Sequence, residues 1–289
     1  VNPTISLVTP SFNQAPFLTA ALDSVLGQNY PQLDYVVVDG GSTDSSREII
    51  ARHADHLAWW CSEPDGGLYA ALNKGFAHTT GEIMGWLNSD DLHFPWTLRT
   101  VGEIFARFPA IDWLASLAPS TWSPGGHSFG VTSIDGFSRA AFLDGCYLPG
   151  GARHYGWIPQ ESTFWRRSLW EKTGARLDPS LRFAGDFELW ARFYQQAELV
   201  GTPSPLAGFR THAGQKSRAM DSYLDEARAS LKNARADLRS SPVRKIFQRT
   251  RVATLPGLRG LTARLAGYSA KKILATADDG WRLEAYRFL

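Results

Sequence analysis

Asp90 and Asp91 close the segment NSDD (88–91), directly after EIMGWL (82–87), a run apolar enough for a buried strand. Adjacent carboxylates stay ionised together only beside a cation or several hydrogen-bond donors. One of them could instead cap a helix begun at Pro95, which leaves the other without a purpose. Other acids stand at comparable places. Asp39 ends YVVVD (35–39), where it can accept from a base N–H or a ribose hydroxyl, or brace the GGSTD turn that follows. Asp44 precedes a helix and reads as an N-cap. Asp65 precedes two glycines at a helix start, as a cap or as an acceptor from ligand hydroxyls. Asp186 and Glu188 in FAGDFELWARF (183–193) are two apart, so a helix cannot present them on one face. Glu188 has ion-pair spacing to Arg192, and Asp186 stands where an N-cap would. His212 stands in FRTHAGQKS (209–217), where a structural and a site role are equally open.

The elements that must position these groups follow from periodicity. TISLVT (4–9) and YVVVD are continuous β-branched runs, as strands buried on both faces of a parallel sheet should be. Between them Leu18, Ala21, Leu22, Val25 and Leu26 mark one helical face. A helix over about 45–54, a strand LAWWC (57–61) and a helix carrying Leu68, Ala71, Leu72, Gly75 and Phe76 repeat the pattern, with Tyr69 and Asn73 expected on the face away from the apolar stripe. EIMGWL and a helix from Pro95 to Arg107 come next. The order predicts an α/β fold, an open sheet with helices on both faces. Ligands bind such sheets beyond the carboxyl ends of the strands, where PSFNQ, DGGSTDSS, SEPDGG and NSDD all fall. Residues 117–155 are rich in Gly, Ser and Pro, with a candidate strand at 127–134, and read either as an acceptor-facing lid or as surface connection. QESTFWRRSLWEKTG (160–174) reads as a strand entering a helix closed by Gly174; helices are expected over 186–196 and 223–238.

With 44% hydrophobic and 20% charged residues, 289 residues can bury one large core, so disorder is excluded as the default. Cys61 and Cys146 match no metal or redox spacing and read as plain thiols. No G-x-G-x-x-G follows the first strand and there is no Walker lysine loop, which removes support for dinucleotide and P-loop sites. No run reaches the roughly 18 apolar residues of a membrane span, and the first residues lack a signal-peptide pattern. The expectation is a cytoplasmic protein.

ISLVTPSFNQAPFLTAALDSVLGQNY (5–30), VVVDGGSTDSS (36–46), EPDGGLYAALNKG (63–75) and LNSDD (87–91), in that order, resemble glycosyltransferase family 2, of the GT-A fold. The resemblance runs over roughly 3–215 and implies an inverting, metal-dependent transferase. Its donor would be a nucleoside-diphosphate sugar, most readily a UDP-sugar, and its acceptor a glycan or lipid-linked molecule of a cell-surface polysaccharide or lipopolysaccharide. It implies Asp91 as the ligand of Mn²⁺ or Mg²⁺, hard ions that take oxygen donors. Asp90 would touch ribose or donor sugar, beside Ser89 and Asn88. Asn88 stands where many relatives carry another aspartate, and adds no charge. Thr9, Pro10, Phe12 and Asp39 would read the nucleotide, with Asp65, Asn73 and Lys74 beside the donor. Lys74 reads equally as a surface charge. Asp186 holds the position of the base, with Gly185 replacing the acid that usually precedes it. His212 would lie near the metal or diphosphate, with Gln215, Lys216 and Ser217 closing over phosphates; Arg153, His154, Gln160 and Glu161 are candidates for the donor-sugar or acceptor pocket. The eleven tryptophans read mainly as core, with Trp157 and Trp165 able to stack on sugar rings.

The expected organisation is a catalytic domain over 1–217, nucleotide-binding to about 115 and acceptor-binding beyond, followed by a helical, basic extension over 218–289. Residues 241–277 hold eight basic residues and no acid; against a chain total of +2, the remainder carries −6. Short basic amphipathic helices on the anionic inner face of a membrane fit that window, as do packing helices or an oligomer contact, while the acidic remainder argues against nucleic acid. Two other functions use the same residues. A binding scaffold that has lost catalysis would explain Gly185 and Asn88, and a sugar-phosphate nucleotidyltransferase would need a Gly-rich, basic loop that TPSFNQ lacks.

Overall fold

The computed structural model describes residues 2–150, 153–215, 219–237, 267–278 and 280–288. Its first half alternates strand and helix: β1 (Ile5–Ser11), α1 (Ala15–Leu26), β2 (Leu33–Asp39), α2 (Ser46–His53), β3 (Trp59–Ser62), α3 (Leu68–Ala77), β4 (Ile83–Trp86), β5 (Leu92–His93) and α4 (Thr97–Arg107). The second half holds β6 (Trp113–Ser116), β7 (Ser120–Trp122), β8 (Ser128–Val131), α5 (Arg139–Asp144), β9 (Thr163–Arg166), α6 (Arg167–Lys172) and α7 (Gly185–Gln196). After these come β10 (Leu199–Thr202), β11 (Ala207–Arg210), α8 (Met220–Asp237), β12 (Tyr268–Ala275) and β13 (Trp281–Phe288).

Among the described residues the main sheet has nine strands, in the order β13-β12-β10-β6-β9-β4-β1-β2-β3. β9 runs antiparallel between β4 and β6, and β13 antiparallel to β12; the other pairs are parallel. A small sheet, β5-β11-β7-β8, flanks it. Alternation along the strands divides the core in two. Val8, Val36, Val38, Trp113 and Trp165 meet α3, α5, α6, α7 and α8 on one face. Leu7, Tyr35, Val37, Leu114 and Phe164 meet α1, α2 and α4 on the other. Trp165 is wholly inside, edge-on to Trp86, Trp190 and Phe193, and so has no face free to stack on a sugar ring.

Two expectations are corrected. Among the described residues after 218, helix is confined to α8, and β12 and β13 form an antiparallel pair whose first strand adds in parallel to β10. Tyr268 and Ala270 are buried in one core and Ile273 in the other, while Ser269 and Lys271 are exposed, a two-sided strand placement that the basic composition conceals. Leu224, Ala227, Leu231, Tyr268 and Phe288 share the core of Val8 and Trp113, so both segments pack on the main sheet. Most of the basic window 241–277 lies outside the described residues, as do Lys216 and Ser217. Tyr69 is not on an open face of α3: it is buried, because the start of α7 covers that side. The 117–155 segment is partly core, with Ile134, Phe137, Phe142 and Tyr147 buried. No helix of the described residues is long and apolar enough to cross a membrane.

Candidate functional site

The loops after β1, β2 and β3 are tied into one cradle. Asn13, at φ 53°, accepts from the Thr43 N–H (2.9 Å), and its own N–H donates to Ser42 Oγ (2.7 Å). Asp44 accepts from the N–H groups of both Ser46 and Ala15, at 3.0 Å each, joining the first turns of α2 and α1. Asp39 is fully buried: Oδ2 accepts from the Ser42 N–H (2.9 Å) and Ser62 Oγ (2.7 Å), Oδ1 from Ser42 Oγ (2.5 Å). Its carboxylate therefore braces the turn. Asp65 accepts from the Gly67 N–H (2.7 Å) and lies so close to Gly40 that a Cβ there would sit 3.1 Å from Oδ2. Thr9 and Pro10 are buried, with Thr9 Oγ1 paired to the Tyr35 hydroxyl (2.8 Å), so they shape the floor of the cradle. Phe12 stands out of it, 60% exposed.

The loop after β4 carries the acids. Asp91 is buried; Oδ1 accepts from the Arg210 N–H (2.9 Å) at the end of β11, and Oδ2 lies 3.4 Å from Asn88 Nδ2. Neither donor is a charged side chain. Burial, then Asp90, then Glu161 push its carboxyl well above the usual range. Asp90 pairs with His212 Nε2 at 2.9 Å, and the His212 ring lies 4.4 Å from Phe17. Asn88 Nδ2 donates to Gln160 Oε1 (3.0 Å), whose own amide donates to the Trp86 carbonyl (2.8 Å). Ser89 is buried behind this network.

Across from it, Asp186 starts α7. Burial raises its carboxyl to about 6, Oδ2 receives the Tyr223 hydroxyl at 3.4 Å, and Oδ1 is buried without a partner. Glu161, just before β9, is pushed up to about 7 by burial and then by the charge of Asp186. Glu161 thus lies within electrostatic reach of both Asp91 and Asp186. Asn88, Asp90, Asp91, Gln160, Glu161, Asp186 and His212 are brought together at the carboxyl edge of the sheet.

Several sequence candidates stand elsewhere. Asn73 holds the Leu177 backbone with both ends of its amide, 2.9 and 2.8 Å, a clamp between α3 and the approach to α7. Lys74 pairs with Glu63 at 2.5 Å. Arg153 reaches the Tyr155 hydroxyl (3.4 Å), and His154 lies edge-on to Trp157. Glu188 pairs with Arg192 as its spacing foretold. Three site residues were not singled out in the sequence: Arg210, Tyr223 and Glu226. No local motif marks them, since each acts through a tertiary contact.

The donor set tests the metal. Two carboxylates and an imidazole suit Mg²⁺ or Mn²⁺, the buried Asn88 Oδ1 beside Asp91 has no partner, and the raised Asp91 carboxyl calls for a positive neighbour. These residues fit a divalent ion. Among the described residues, however, no three Asp, Glu, His or Cys side chains already converge on a point that could hold one.

An open, mostly parallel sheet with its acids at the carboxyl edge defines an α/β protein of the kind that binds ligands beyond its strand ends. The fold is shared with S. aureus TarS 1–349 in complex with UDP-GlcNAc, at a TM-score of 0.63 and 16% identity, covering 84% of this chain and 69% of that one. It is shared with the mannosyltransferase PcManGT from Pyrobaculum calidifontis in complex with GDP-Man and Mn²⁺, at a TM-score of 0.52 and 19% identity, covering 92% and 85%. Residues 6–118 match the model of Glycosyl transferase family 2. An uncharacterized glycosyltransferase of Mycobacterium tuberculosis is 32% identical over 209 residues, 70% of this chain and 71% of the relative. One of Rickettsia typhi is 26% identical over 228 residues, 79% and 70%. The chain belongs to glycosyltransferase family 2, and its GT-A type fold is the one its motifs implied.

Proposed function

We propose that the protein is an inverting transferase that moves a sugar from a nucleoside diphosphate, a UDP-sugar by preference, to a hydroxyl of a glycan or lipid-linked acceptor in surface polysaccharide assembly. The observation that carries the reading is Asp186: a buried carboxyl raised to about 6, with one oxygen unpartnered, across from the Asp90–Asp91 pair. A base with that proton affinity is half ionised close to neutral pH. Asp186 accepts the acceptor hydroxyl proton as that oxygen bonds to the anomeric carbon, and the bond to the diphosphate breaks with its electron pair leaving on the phosphate oxygen. Asp91, with Asp90 and His212 beside it, would hold a divalent ion, which would supply charge stabilisation to the diphosphate. The exposed Phe12 offers a face for the base, and the Asn13 bonds to Ser42 and Thr43 tie its loop to the turn braced by Asp39.

The test is a donor panel, UDP-, GDP- and dTDP-sugars with Mn²⁺ or Mg²⁺, followed by thermal stabilisation and release of nucleotide. One donor should raise the melting temperature only with metal, and Asp91→Ala should lose that effect. Asp186→Asn should keep the stabilisation and lose turnover. Intact turnover in Asp186→Asn would remove the base assignment.

A further inference from the structure

The turn that presents Asp186 is held from outside the motif-bearing part of the chain. Glu226, in the second turn of α8, accepts three consecutive backbone N–H groups: Arg182 on Oε1 (3.0 Å), and Phe183 (2.9 Å) and Ala184 (2.8 Å) on Oε2. The next N–H, of Gly185, donates to the Tyr69 hydroxyl of α3 (2.8 Å). Four successive donors leading into α7 are thus fixed by two side chains, leaving the peptide that carries Asp186 little freedom. Tyr223, three residues before Glu226 and on the same face of α8, donates to Asp186 Oδ2. A carboxylate closing a row of helix-start N–H groups is a strong, charge-assisted arrangement.

We infer that α8 is part of the catalytic apparatus and that Glu226 is its positioning residue, clamping 182–184 so that Asp186 points across the cleft. The inference rests on Asp186 being the base. The groups facing that carboxyl are Tyr69 from α3, Tyr223 and Glu226 from α8, and Glu161 from the segment before β9. Burial is what chiefly raises the Asp186 carboxyl, and the Glu226 charge adds a small push in the same direction.

The experiment compares wild type, Glu226→Gln and Glu226→Ala in the full chain. The amide of Glu226→Gln keeps one accepting oxygen for Phe183 and Ala184 and loses the contact to Arg182, whereas Glu226→Ala loses all three. Two readouts need no ligand: hydrogen exchange of amides 182–185, and the ¹³C-carboxyl titration of Asp186, identified by its loss in Asp186→Asn. The third is nucleotide release from UDP-N-acetylglucosamine and GDP-mannose. Glu226→Gln should lower the Asp186 midpoint and speed exchange at Arg182, and Glu226→Ala should speed it throughout. The rate constant on whichever donor turns over should fall about 10- to 100-fold with KM little changed, as displacement of a reacting group does. Unchanged exchange and titration in both variants would overturn the clamp. Wild-type release by Asp186→Asn, with the Glu226 effects still present, would remove the base and leave the clamp standing.

Discussion

Gly185 stands where the resemblance to glycosyltransferase family 2 implied an acid, and here the Tyr69 ring occupies the space a side chain would need. A Cβ at 185 would lie 2.5 Å from Tyr69 Cζ and 2.7 Å from Cε1 and Cε2. Carbon atoms pack at about 3.5–4.0 Å, so in Gly185→Ala the ring must retreat by about 1 Å. Tyr69 is only 4% exposed and cannot swing into solvent. Overpacking of that kind costs about 1–3 kcal/mol. The hydrogen bond from the Gly185 N–H to the Tyr69 hydroxyl adds about 1 kcal/mol when lost, and the better helix propensity of alanine returns up to about 1 kcal/mol. The net expectation is a loss of about 1–3 kcal/mol, read as a lower urea midpoint at unchanged slope in tryptophan fluorescence. Gly185→Glu, which would restore the familiar acid pair, should cost more. In a Tyr69→Leu background the Gly185→Ala cost should largely vanish, giving a coupling energy of at least about 1 kcal/mol. A cost below about 0.5 kcal/mol, or an equal cost in both backgrounds, would refute the steric account.

Turnover should rise with pH through about 6 as Asp186 ionises, a limb absent from Asp186→Asn. Stability should move the other way. The folded carboxyls of Asp186 and Glu161 are raised to about 6 and about 7, so their contribution is complete below the ordinary carboxylate range and is lost as pH rises through those values. Urea midpoints from pH 4.5 to 8 should show that decline, and Glu161→Gln should flatten its upper part. Asp39→Asn should lower stability by about 1–3 kcal/mol, because an amide cannot accept on both sides from Ser42 and Ser62. Wild-type stability with lost donor affinity would instead make Asp39 a reader of the base.

What was legible in the sequence is what local pattern encodes. YVVVD declared itself because β2 is covered on both faces, and the acids at the strand ends declared themselves because the apolar runs stop there. β6, β10 and β11 are four residues each, too short for any period to show. The hairpin β12–β13 was read as helix because its lysines and arginines lie beside an aliphatic set that only pairing across the strands sorts into faces. Tyr69 was expected on an open face of α3 because helical spacing names the face toward the sheet and says nothing of a second neighbour, here the start of α7. Glu226 was invisible for the same reason: its importance lies in backbone groups more than forty positions away.

The reversed strand β9 ties the order of assembly to the working of the site. β4, β1, β2 and β3 are neighbours in the sheet and come from the first 86 residues, so their pairing closes short loops. β6 is made next but has no place beside β4; that slot belongs to β9, about fifty residues later in the chain. Until β9 enters, antiparallel to both, β4 presents an open edge and the two halves of the sheet are not joined. Glu161 directly precedes β9, and Asp186 follows it through α6. The strand that fuses the halves is therefore also the one that delivers the second set of acids to the first, so that the loop cradle and the proposed base meet only once β9 is paired.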